Sequence, residues 1–120
     1  MNKEFIPYEQ ALELEELGFK ELCLFYYGNN EALRIYHQSE ISRDLIAAPL
    51  YQQAFRWFRE KYNIDISINT IYSKYNENTS KKYGGAIDNE SVFTNVGFYN
   101  TYEEAELACL KKLIDILKGK

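Results

Sequence analysis

Two helix-start signals that bracket a stretch of alternating polarity constrain this chain more than any other feature. The first is Ala48-Pro49, which opens an amphipathic run ending at Tyr62. Proline in the first turn forfeits no hydrogen bond, because that N–H has no helical partner anyway. Leu50, Ala54, Trp57 and Phe58, flanked by Tyr51 and Tyr62, recur on one side. Gln52, Gln53, Arg56, Arg59 and Glu60 fall on the other, the pattern of a helix with one buried face. The second signal is Thr101 with Glu104, a capping box, followed by a stripe of Tyr102, Ala105, Cys109, Leu110, Leu113, Ile114 and Leu117. Between the helices, Ile64 to Tyr72 alternates apolar and polar residues and reads as a strand. A polar hairpin tip is expected over 76–82, then strands at Tyr83–Ile87 and Val92–Tyr99. Gly84-Gly85 inside a strand predicts a bulge or the close approach of another backbone.

Upstream, Pro7 is placed as a first helical residue, and Tyr8, Ala11, Leu12, Leu14 and Leu17 supply an apolar stripe. Gly18 suits a left-handed helix end, with Phe19 folding back on Leu14. A short buried strand over 22–27, a turn at Gly28-Asn29-Asn30 and a second strand over 32–36 make a hairpin. Residues 37–47 read as a loop with scattered apolar anchors. The expected fold is therefore α+β, a single domain over 1–120. An N-terminal helix plus β-hairpin and loop (1–47) precedes an α-β-β-β-α core (48–120), with helices packed on an antiparallel sheet.

The composition excludes several functions. Fourteen Lys+Arg against eighteen Asp+Glu give a net charge of −4, so no phosphate-tracking surface for nucleic acid is expected. At 46% hydrophobic and 27% charged residues the chain can bury its own core. Met1 to Pro7 lacks an apolar signal core and no run is long enough to span a membrane, which predicts a cytoplasmic protein without a membrane partner. Cys23 and Cys109 lie in apolar runs with no metal-type spacing and read as small buried hydrophobes. His37 has no adjacent nucleophile or carboxylate pattern, and Tyr83-Gly84-Gly85-Ala86 lacks the spacing of a phosphate loop. No enzyme, metal site or cofactor is expected.

One constellation points to a ligand. Residues 49–62 hold three cations against one acid in a chain that is otherwise acidic. Arg56 and Arg59, with Gln52 and Gln53, offer guanidinium and amide donors to one anion. Tyr51 from the same run and Arg43 from the loop before it complete the candidate set. The chain has eleven tyrosines, and neighbouring rings could stack on a base. The competing reading is that both arginines only solubilise the outer face while Trp57 fills the core.

Two resemblances add to this. The helix-strand-strand-strand-helix order and the alanine-bearing last helix are similar to a double-stranded-RNA-binding domain. That family holds phosphates with lysines at its second helix start and a Gly-Pro-x-His loop. Here Thr101-Tyr102-Glu103-Glu104 is acidic and Asn78 to Lys82 has no His, so the RNA-binding residues do not carry over. The phrases Pro7-Tyr8-Glu9-Gln10-Ala11-Leu12, Leu17-Gly18-Phe19, Ala48 to Tyr62 and Thr101-Tyr102-Glu103-Glu104-Ala105 look like small proteins carried by phages and integrated elements of Bacteroidales-type gut bacteria. That resemblance implies an accessory protein acting in the host bacterial cytoplasm, by binding. The expected ligand is a small anionic, nucleotide-derived molecule, sequestered from host immunity and held across a homo-oligomer interface. A host protein that the chain inhibits is the alternative partner, and nucleic acid bound as by a double-stranded-RNA-binding module is a weaker alternative.

Overall fold

A computed structural model describes residues 4–21, 23–28, 31–35, 45–75, 78–90 and 92–119. Among them lie three helices and two antiparallel three-stranded sheets, an α+β fold. Contacts gather into two units, Met1–Ala54 and Phe55–Lys120.

In the first unit, α1 (Tyr8–Glu16) starts one residue later than the sequence suggests. Pro7 is its capping residue, with extended ψ of 155°, and its carbonyl accepts the first helical bond from Ala11 N–H at 2.9 Å. Gly18 ends the helix at φ 103°, and Phe19 N–H reaches back to the Leu14 carbonyl at 2.9 Å. With Gly18 N–H on Glu15, this is the paired bonding of a glycine-terminated helix, as the sequence predicts. Strand β1 (Phe25–Tyr27) pairs antiparallel with β2 (Leu33–Ile35), both shorter than expected. Leu24, assigned to a buried strand, is 69% exposed, whereas Cys23 and Tyr27 are buried. Only one side of this segment is covered, so alternate residues face water.

The region read as loop ends in a third strand, β3 (Ile46–Ala47), on the other side of β1, giving the order β2-β1-β3. Two residues carry no periodic signal, and what fixes β3 is its backbone pairing with a distant partner. Ala48 N–H on the Phe25 carbonyl and Ile6 N–H on the Pro49 carbonyl, both at 3.0 Å, continue that tie. Tyr27 donates its hydroxyl to the buried Ile6 carbonyl at 2.6 Å, and its ring meets Tyr8 edge-on at 5.5 Å. Residue 36 of the expected second strand and residues 37–44 of the expected loop, His37 and Arg43 included, lie outside the described residues.

Helix α2 (Tyr51–Tyr62) runs from the first unit into the second. Leu50, expected on its apolar face, precedes it and is exposed, held by a bridge to Phe5. Asn63 takes the left-handed conformation, φ 56°, that stops the helix and launches β4 (Ile64–Tyr75). β4 pairs along its whole length with β5 (Asn78–Asn89), and β5 with β6 (Val92–Tyr99). The ladder therefore runs through most of the stretch expected as a hairpin tip. Tyr75 pairs with Asn78, and residues 76 and 77 lie outside the described residues. Backbone bonds need no apolar side chain, and Lys81 lies over the rings of Tyr72 and Tyr83 at 5.9 and 5.3 Å, tying the ribbon together.

Helix α3 (Tyr102–Lys118) packs on one face of this sheet through Ala105, Cys109, Leu110, Leu113 and Ile114, all buried. Thr101 caps it, its hydroxyl accepting Glu104 N–H at 3.1 Å. Tyr102, expected in the buried stripe, is half-exposed and meets Tyr83 edge-on at 5.9 Å. The glycine pair lies at a register shift whose extra residue is on the partner strand, and its close neighbour is a side chain rather than a backbone. The register shifts where Gly85 and Ala86 face Gly97 and Asn95, leaving Val96 as the extra residue of a bulge. A Cβ on Gly85 would lie 2.6 Å from Cys109 Sγ, so glycine lets α3 approach the sheet.

Candidate functional site

Helical geometry separates the faces of α2 as the sequence requires. Trp57 is 7% exposed and Phe58 fully buried, while Gln52, Arg56, Arg59 and Glu60 are exposed. Successive residues turn by about 100°, so Arg56 and Arg59, three apart, recur on one side and point away from Trp57. Arg59 Nε lies 3.9 Å from Asp65 Oδ1, with the two side chains 54% and 58% exposed. Arg56 forms no ion pair with a described residue. Lys61 belongs to the apolar edge instead, its ammonium 5.1 Å from the Trp57 ring and 5.6 Å from Tyr62.

The remaining candidates stand differently. Tyr51 is 5% exposed, so its ring offers no stacking wall to a solvent-borne ligand. Gln53 is half-buried and accepts a weak bond from Cys23 Sγ at 3.7 Å. Of the six candidates, then, Gln52, Arg56 and Arg59 are exposed on α2, while Tyr51 and Gln53 turn inward.

Neither thiol is poised for chemistry. Burial pushes Cys23 and Cys109 up to about 11, with Glu21 adding to the first and Glu106 to the second. Both are free and buried. Glu106 on α3 is itself raised to about 7, mainly by burial and then by Glu103. Among the described residues, no three His, Cys, Asp or Glu side chains are grouped to hold a metal ion.

The structure shows a second surface that the sequence does not reveal. Opposite α3, the β4–β5–β6 sheet carries a shallow groove of about 230 Å³. Ala86 and Gly84 form its floor, Asn69 and Asn95 its polar edges, and Phe93 and Phe98 two of its walls. Phe93 and Phe98 are 71% and 59% exposed. Simple alternation puts an odd- and an even-numbered residue on opposite faces. The bulge at Val96 resets the phase and brings both rings to one side. A doubled glycine hints at a bulge but not at which strand carries it.

Compared with known proteins, the chain matches no family model, no curated sequence and no solved structure.

Proposed function

We propose that this chain is a non-enzymatic binding protein that takes a small anionic ligand, of nucleotide type, on the outer face of α2. The observation that carries the reading is Arg56: an exposed guanidinium without a described carboxylate partner, one turn from a second arginine whose own pair is weak. A half-exposed pair such as Arg59–Asp65 is worth only about 0–1 kcal/mol, so Arg59 can exchange Asp65 for a phosphate at small cost. Two guanidinium groups three residues apart present forked donors that match phosphate oxygens. The likeness to phage and integrated-element proteins supplies the setting: an accessory protein that sequesters a nucleotide signal in a bacterial host.

The test is thermal-shift measurement of the full chain against a panel of linear and cyclic nucleotides. Stabilisation by at least one, lost in Arg56→Ala, is expected. No stabilisation by any of them at millimolar concentration would sink the proposal.

A further inference from the structure

We infer that the open face of the β4–β5–β6 sheet docks a second copy of this chain across a two-fold axis level with Gly85. This does not rest on the ligand reading. Register places Asp88, Ala86, Gly84 and Lys82 along β5 on that face, beside Phe93, Asn95 and Phe98 of β6 and Asp65, Asn69 and Ile71 of β4. Asp65 already faces Arg59, whereas Asp88 and Lys82 form no ion pair with a described residue. Lys82 only donates to the neutral side-chain oxygen of Asn100. Among the described residues the face thus carries one carboxylate and one ammonium without an ion-pair partner, six positions apart, about 20 Å at strand spacing, with Ala86 and Gly84 between them.

That arrangement complements itself. A half-turn about an in-plane axis, perpendicular to the strands and level with Gly85, inverts the strand direction. It sets Lys82 of each copy against Asp88 of the other. The same half-turn brings Gly84 of one copy opposite Ala86 of the other. Phe98 lies beside Gly84: a Cβ there would meet the Phe98 ring at 3.3 Å and Ile71 Cδ1 at 2.9 Å. Phe98 of one copy therefore stands over Asn95 of the other, beside its small Ala86 floor and in the gap between its Phe93 and Phe98. Charge and shape choose the same axis, and face-to-face sheets tolerate such a near-antiparallel crossing. Three strands about 4.8 Å apart and about eight residues long offer on the order of 400 Å² per copy. That is below the standard size of a stable interface, so a weak, concentration-dependent dimer is expected.

Sedimentation velocity on the full chain, from low micromolar to millimolar concentration, tests this. A monomer–dimer equilibrium is expected, abolished by Phe98→Asp with an unchanged circular dichroism spectrum. Lys82→Asp and Asp88→Lys should each weaken the dimer at least about tenfold, since each turns both contacts repulsive. Their equimolar mixture should dimerise again, because only the mixed pair restores both attractions. A monomer at every concentration would overturn the inference. So would a dimer indifferent to Phe98→Asp, or a mixture that stays as weak as the single variants.

Discussion

Gly85 has no room for a methyl group. Its added Cβ would meet Cys109 Sγ at 2.6 Å inside the packing of α3 on the sheet. Gly85→Ala should destabilise by about 1–3 kcal/mol, as overpacking does, and Cys109→Ala in the same chain should recover part of that. Chemical denaturation of the two single variants and the double variant reads this directly. Glu106 makes a pH prediction. Its folded-state value of about 7 lies above the ordinary carboxylate range, so between about pH 4.5 and 7 the folded chain binds more protons than the unfolded chain. Stability then falls as pH rises through that window and is fully present only below it. For a half-exposed side chain, solvent screening leaves about 1 kcal/mol of this effect, and Glu106→Gln should remove it. Denaturation midpoints at pH 5 and pH 8 would show the difference. On α2, Arg56→Ala should change stability by no more than about 0.5 kcal/mol, against about 3–5 kcal/mol for Trp57→Ala. That division between neighbours was legible because helical periodicity is a local property of the chain. The common face of Phe93 and Phe98 was not, because one bulge residue inverts the phase for everything after it.

At the scale of elements, local chemistry fixed the ends of helices better than the extents of strands. Gly18, Asn63 and Thr101 each terminate or start a helix through their own backbone freedom or side-chain oxygen, which a sequence displays directly. Thr101→Ala should accordingly cost about 1 kcal/mol, measurable by thermal denaturation, with Thr101→Ser nearly neutral. Strands depend on partners elsewhere in the chain. The polar segment 78–82 joins β5 because β4 offers it a continuous row of backbone donors and acceptors. Ile46 and Ala47 become β3 because β1 has a free edge. Neither fact leaves a periodic mark on the residues concerned.

At the scale of the whole molecule, the described elements follow the expected α+β order, helix and hairpin before helix, three strands and helix, with β3 added to the first sheet. The boundary between the two contact units falls between Ala54 and Phe55, inside a continuous amphipathic helix. A scan for linkers looks for a change of composition and finds none there. The same helix carries the proposed anion site at Arg56 and Arg59. The most direct measurement is a ¹H–¹⁵N correlation titration of the full chain with the nucleotide panel, observing backbone amides and arginine Nε–H groups. Saturable shifts are expected, centred on residues 55–60 and on the Nε–H signals of Arg56 and Arg59, and absent from a folded Arg56→Ala variant. Shifts confined to other elements and undiminished in Arg56→Ala, or no shifts at millimolar nucleotide, would contradict the proposed site.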